Sequence, residues 1–227
     1  EEIKRKKSLL ENKKQEKIDY QADKNIQIIS LEKIKNNEKS LAKDLEKNNL
    51  KRQEIAKAVK KAIEKEIRAL EKLKKSKFDF TLEGKALSKN FSNNKGRLIW
   101  PVEKGEITSR YGKHQHHLVS TATVDNNGID ITTTKNANVR AVFGGKVTSV
   151  LIIPGAGRVV MVSHGEYRTV YANLQEVYVK KGELIKIKDK VGKRLAKESG
   201  ISEAHFEICK ILAVGLNTVN TSVWLSK

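Results

Sequence analysis

The stretch VRAVFGGKVTSVLIIPGAGRVVMVS, residues 139–163, reads as three short apolar runs, 139–143, 146–153 and 158–163, separated by glycine turns. The runs are rich in Val and Ile, which suit a pleated and packed surface, and each is short enough for a strand. Gly144-Gly145 and Gly155-Ala156-Gly157 supply the backbone freedom that hairpin turns need. The same texture extends in both directions, through Gly128-Ile129-Asp130-Ile131 upstream and through 168–172 and 205–211 downstream. No useful length of 3.6-residue periodicity interrupts it. Residues 98–227 therefore read as a mainly antiparallel β domain.

Upstream the composition changes. Residues 1–77 hold neither Gly nor Pro, and all 14 glycines of the chain lie beyond them. Lys, Glu, Leu and Ile dominate, which favours helix. Leu31, Ile34, Leu41, Leu45, Ile55, Val59, Ile63, Leu70 and Leu73 carry the apolar pattern. Ile34, Leu41 and Ile55 share one phase of a seven-residue repeat, and Leu45, Val59 and Leu73 share the phase four residues later, an a/d seam that predicts a coiled coil. Asn48 and Arg52 interrupt it with polar side chains. Residues 3–20 are also helical in pattern. The phase is disturbed at 23–30, and the Asn pairs at 36–37 and 48–49 mark 35–50 as the place for a bend or hairpin turn. The coil then either folds back on itself, dimerises or docks on another protein. Residues 78–97 form a joint with apolar Phe78, Phe80, Leu82, Ala86, Leu87 and Phe91. Leu82, Ala86 and Leu87 fit a short amphipathic helix, and 92–96 fit a turn. The expected fold is α+β: a helical arm over 1–77, the joint over 78–97, and the β domain over 98–227.

The 227 residues carry a formal charge of +19. The basic residues are interleaved with Glu and Asp along the helical pattern, so the reading is a solvated helix face, and no nucleic-acid motif is present. The single Cys209 excludes a disulfide within the chain. The apolar runs, such as 147–153, are too short to span a membrane. The chain begins in mid-helix without a visible signal peptide.

In order along 98–227 stand Trp100-Pro101-Val102, Thr108-Ser109-Arg110-Tyr111-Gly112, Asn126-Asn127-Gly128-Ile129-Asp130, Val139-Arg140-Ala141-Val142, Ser163-His164-Gly165, Tyr171-Ala172-Asn173-Leu174 and Glu203-Ala204-His205-Phe206-Glu207. This order resembles the LytM-type zinc metallopeptidases, which cut peptide cross-links in peptidoglycan. Active members carry His-x-Gly-x-Asp, a Tyr-x-His-Leu-type strand and His-x-His. By resemblance the first zinc ligand position is Asn126, the second Asp130 and the third His205. The two further catalytic histidines are replaced by Asn173 and Glu203. Catalytic zinc ordinarily keeps three protein ligands from nitrogen, sulfur or carboxylate donors, and Asp130 with His205 supplies two. Asn173 does not exchange a proton near neutral pH. The resemblance thus implies a degenerate site with no catalytic residue and no metal or other cofactor. The alternative is an atypical zinc-dependent endopeptidase using Asp130, His205 and Glu203. His114, His116 and His117 read as loop residues, and His164 as a structural residue at a family turn.

Arg110, Tyr111, Tyr167, Arg168 and Tyr171 are the expected partner-binding residues around the former site, since Tyr and Arg anchor protein interfaces. Arm, joint and degenerate domain together resemble the EnvC-type murein hydrolase activators. That resemblance implies a periplasmic, exported protein that acts in cell division. It would bind and activate a peptidoglycan amidase through the cleft, with its coiled coil engaging an FtsEX-type ABC transporter and peptidoglycan as a further partner. It also implies a helix that blocks the cleft, for which residues 80–91 are the candidate.

Overall fold

Val159, Val160, Met161 and Val162 are four consecutive residues with no solvent exposure. Alternate side chains of a strand point to opposite faces, so such a run requires a sheet covered on both sides. The computed structural model describes residues 1–74, 82–115, 123–134, 136–154, 156–194, 202–212 and 215–226. It shows the two covers.

The strands are β1 (Gly105–Ser109), β2 (Gly112–Gln115), β3 (Thr123–Asn126), β4 (Ile129–Thr133), β5 (Asn138–Arg140), β6 (Gly145–Ile153), β7 (Gly157–His164), β8 (Tyr167–Val177), β9 (Leu184–Ile185), β10 (Lys190–Arg194), β11 (Ser202–Leu212) and β12 (Gly215–Val219). The main sheet runs β1-β4-β11-β8-β7-β6-β9, with β12 beside β11 and β10 joining β5 to β8; β2 and β3 form a separate hairpin. All these pairs are antiparallel. One face buries Ile129, Ile131, Val160, Val162, Tyr171, Leu174, Phe206 and Ile208 in the domain core. The other presents Val159, Met161, Val170, Ala172, Cys209 and Ile211.

Helix α1, Glu2–Lys74, covers that second face with Ile55, Val59 and Ile63. The seam over this span thus meets the sheet of its own chain. Leu45 is buried as well, whereas Leu31 and Ile34 are 57% and 62% exposed. No second helix packs along α1 among the described residues. The expected bend at 35–50 is absent, because α1 is continuous through both Asn pairs. Asn costs a helix only about 0.6 kcal/mol relative to Ala, and the surrounding Lys, Glu and Leu sustain it. The side chains of Leu70 and Leu73, and residues Phe78 and Phe80, lie outside the described residues.

Helix α2, Leu82–Asn93, is the expected short helix with a different anchor. Leu82 is 86% exposed, and Phe91 is fully buried instead. Its ring stacks on His164 at 4.7 Å and lies 5.0 Å from Tyr167 and 5.2 Å from Trp224. Ser88 Oγ accepts from the backbone N–H of Glu166 at 2.6 Å. The turn beneath uses Gly165 at φ +79°, where a Cβ would collide with Gly84 O and Ser88 Oγ. Among the described residues, no helix is long and apolar enough to cross a membrane.

The docked and exposed parts of the stripe differ in energetic weight. Ile63→Ala is expected to cost about 2–5 kcal/mol in chemical denaturation, as for a buried aliphatic truncation. Ile34→Ala is expected to change it by less than about 0.5 kcal/mol. Equal costs at both positions would contradict this packing.

Candidate functional site

The register of three strands assembles the site. His205 on β11 lies opposite Asp130 on β4 and opposite Ala172 on β8. Alternation along β11 puts Glu203, His205 and Glu207 on one face, the face that α1 covers. Asn126 ends β3 and stands four residues before Asp130. Asn173 takes a left-handed backbone at φ 60°, which asparagine tolerates better than most residues. It lies beside the register shift between β7 and β8. Asn126, Asp130 and His205 are buried.

The hydrogen bonds assign a role to each group. His205 Nδ1 donates to Asp130 Oδ1 and Nε2 donates to Glu207 Oε1, each at 2.7 Å. With a carboxylate on both ring nitrogens the imidazole holds both protons and is cationic. Burial by itself pulls its pKa down; the hydrogen bonds and charges of Asp130 and Glu207 outweigh that and bring it up to about 10. Burial pushes the Asp130 pKa up, and His205 together with Arg52 outweighs it and holds it at about 2. Asn126 Nδ2 donates to Ser109 Oγ at 3.1 Å and to Asp130 Oδ2 at 3.3 Å, while its Oδ1 accepts from Gly128 N–H at 3.0 Å.

The remaining contact comes from the arm. Arg52 Nη2 on α1 donates to Asp130 Oδ2 at 2.6 Å. Asn49 Nδ2, three residues earlier, donates to Thr123 O at 3.0 Å. Farther along the helix, Glu66 accepts from Arg168 Nη2 at 2.5 Å. A second guanidinium, Arg194, is 2% exposed beside Asn173, Glu203 and His205. Burial lowers its pKa to about 10 against the opposing charges of Glu203 and Asp130. The space left between helix and strands is a cavity of about 100 Å³ lined by Lys51, Arg52, Ile55, Asn173, Arg194 and Glu203, among others. That volume suits a few waters at about 30 Å³ each, and not a peptide.

A zinc ion does not fit the groups as they stand. Both His205 nitrogens donate to carboxylates, Asn126 presents N–H groups to Asp130, and a guanidinium sits on the other Asp130 oxygen. Each would have to be rearranged before a metal could be held. Among the described residues, no group of three or more His, Cys, Asp or Glu is placed to hold a metal ion.

The structure brings together Asn126, Asp130, Asn173, Glu203 and His205, but it separates the five residues expected to bind a partner. Tyr171 is buried in the core, and its hydroxyl accepts from Val142 N–H at 3.0 Å. Tyr167 packs on Phe91 and Trp224 at the start of β8, well along the strand from the site residue Asn173. Arg168 is buried under α1 in the pair with Glu66. Tyr111 donates to Thr218 O at 3.0 Å, and Arg110 is exposed. Burial and internal pairing, not solvent-facing display, account for the first three. The blocking element is corrected in the same way. Residues 82–91 sit at the β7–β8 turn, while α1 lies over Asp130; residues 80 and 81 fall outside the described residues. Of the loop histidines, His114 Nδ1 lies 3.0 Å from Gly112 O, and His116 and His117 fall outside the described residues. His164 is a structural residue. Its Nδ1 is 2.7 Å from Gly144 O and its Nε2 2.9 Å from Thr169 Oγ1, and burial lowers its pKa to about 3. Arg52, Arg194 and Glu207 are among the site residues that sequence reasoning misses. Arg52 is signalled by its place in the apolar seam, and Glu207 by its alternation with His205.

The ionisation of the pair has a measurable sign. The raised His205 pKa contributes stability that is fully present below about pH 6.5 and is lost as pH rises through about 10. In heteronuclear NMR, His205 is expected to remain an imidazolium from pH 5.5 to 8.5, while His164 remains neutral. A His205 titration near 6.5 would rule out the two-carboxylate clamp.

Comparison with known proteins places the domain. The profile of peptidase family M23 matches residues 124–220. The peptidoglycan DD-endopeptidase ShyB of Vibrio cholerae is 35% identical over 115 residues, 48% of this chain and 26% of that protein. An uncharacterized metalloprotease of Haemophilus influenzae is 29% identical over 134 residues, 56% of this chain and 26% of that protein. The chain thus spans about a quarter of the length of these curated relatives. Among solved structures, Helicobacter pylori Csd3 aligns over 57% of this chain and 35% of its own at 23% identity, with a TM-score of 0.47. Within the β domain, residues 124–220 thus match a LytM-type domain of peptidase family M23, with homologues in that family.

Proposed function

We propose that this chain is a non-enzymatic regulator of peptidoglycan hydrolysis, whose M23 cleft is a protein-docking groove held shut by α1. One observation carries the reading: the Arg52 guanidinium of α1 pairs with Asp130 at the centre of the cleft, where catalysis would need a metal. The occupant is a cation of the protein itself, and the helix that delivers it fills the groove. Displacing α1 would expose the strand edges, Asp130, His205 and the apolar floor to a cell-wall amidase. The exposed apolar residues of the N-terminal half of α1, among them Leu9, Leu10, Ile26 and Ile34, are then the surface through which an FtsEX-type membrane complex pulls the arm during division. In this reading the protein is exported and works in the periplasm, against peptidoglycan, the polymer named for the ShyB relative.

Closure and release are two states, and a partner shifts them only through its difference in affinity. Arg52→Glu places a carboxylate against Asp130 and weakens the closed state alone. On dye-labelled sacculi with the source's own amidase, the variant is expected to raise dye release about tenfold over the parent chain, the factor given by about 1.4 kcal/mol of lost closing energy. Neither protein form is expected to release dye without the amidase. Zinc-dependent release of cross-link fragments by the chain alone would overturn the proposal in favour of an endopeptidase using Asp130, His205 and Glu203.

A further inference from the structure

Strand β6 has a long edge that the sheet leaves open. Its partner on one side is β7 throughout, but on the other side β9 meets it only at Gly145 and Lys146. Beyond the contacts of Val147 with Gly182 and Glu183, the edge from Ser149 to Ile153 has no strand beside it among the described residues. The segment Val147-Thr148-Ser149-Val150-Leu151-Ile152-Ile153 contains no charge and no Pro, and Ile152 is 75% exposed. Such an edge is a template for strand pairing, and proteins normally blunt it. Here it borders a cavity of about 920 Å³ between β6, α1 and α2.

The lining of that groove specifies an occupant. On α1 the lining alternates the small Ala58, Ala62 and Ala69, which leave room beside the strand, with the long Lys61, Lys65 and Glu66. The β6 side contributes Val150, Leu151 and Ile153. Lys61, Lys65, Lys146 and Lys181 stand at the rim, and none is in an ion pair among the described residues. Glu66, a carboxylate at the groove, is already committed to Arg168. Thr148 Oγ1 is buried there without a hydrogen-bond partner. A second copy of a chain with charge +19 would bring more lysines to this rim, so self-pairing is opposed by like charge.

We propose that this groove is a second docking site, for an extended segment of a partner protein that adds as a strand to the β6 edge. The segment is apolar in its centre and acidic at its flanks. Main-chain hydrogen bonds to the edge supply affinity that tolerates many sequences, and the four lysines select acidic flanks. The site lies apart from the Asp130 cleft, but α1 forms one of its walls, so it is complete only while α1 is docked on the sheet.

The probe is a fluorescein-labelled peptide, Glu-Glu-Val-Thr-Val-Thr-Val-Glu-Glu, titrated with the full chain by fluorescence anisotropy. It is expected to bind about tenfold or more tighter than the same core flanked by lysines, and than a version with Pro at the central position. Lys61→Glu with Lys65→Glu is expected to weaken it about tenfold. Lys13→Glu with Lys14→Glu, the same charge change far from the groove, is expected to leave it unchanged. Hydrogen exchange with the peptide bound is expected to slow over 147–153. The proposal is overturned by equal binding of acidic and basic peptides, by equal effects of the two double variants, or by protection on β4 and β11 in place of β6. Circular dichroism of both double variants separates lost binding from lost folding.

Discussion

Val159, Val160, Met161 and Val162 bury side chains on both faces of the central sheet, and this two-sided burial governs the architecture. One face is closed by the domain's own loops, by Phe91 of α2 and by Trp224. The other contains the M23 cleft, and its apolar floor of Val159, Met161, Val170, Ala172 and Cys209 has to be kept from water as well. Ile55, Val59 and Ile63 do this. Each contributes on the order of 1.5–3 kcal/mol of transfer energy, reduced by the entropy of ordering the helix. The arm is therefore a structural layer of the domain over this span, while before Leu41 its described side chains are exposed.

The same helix solves an electrostatic problem. Asp130 and Glu207 are buried carboxylates, and buried charge is costly unless paired. The protonated His205 ring and the guanidinium of Arg52 supply the compensation. Arg168, 1% exposed, is compensated in turn by Glu66 of α1. Lifting α1 would return Arg52 and Glu66 to water and leave Asp130 and Arg168 at a newly wetted surface, where the demand for pairing is smaller. The ion pairs thus fix the position of the helix more than they hold it down. The apolar contacts supply most of the closing energy.

The division into helical arm and β domain, and the strands around the glycine turns, were legible because composition and turn chemistry are local. So were Asp130 and His205, which a motif order marks. The destination of the apolar stripe was not. A seam of Leu45, Ile55 and Val59 is the same whether its cover is another helix or a sheet, since burial is non-directional and a heptad specifies only the face. The deciding residue was the one that broke the pattern. Arg52 is unfavourable against a partner helix core and favourable opposite a buried carboxylate. Asn48, the other interruption, lines the same cavity. Tyr167, Arg168 and Tyr171 were misplaced because consecutive strand residues alternate between faces, and the sequence around them is apolar on both.

Under the proposed function, the length of α1 would set how the cleft is controlled. Its docked span runs from about Asn49, which reaches Thr123, to Glu66, which reaches Arg168. The residues before Leu41 extend the same unbroken helix by many turns beyond that span. A continuous helix transmits bending and axial load, whereas a jointed one would dissipate it. Under the proposed function, the missing hinge at the Asn pairs would let a force or a binding event at the N-terminal end act directly on Arg52. Because that end carries exposed Leu and Ile side chains and, among the described residues, makes none of the closing contacts, a partner could engage it without first opening the cleft. Only a partner that binds it better when α1 has left the sheet would open the cleft.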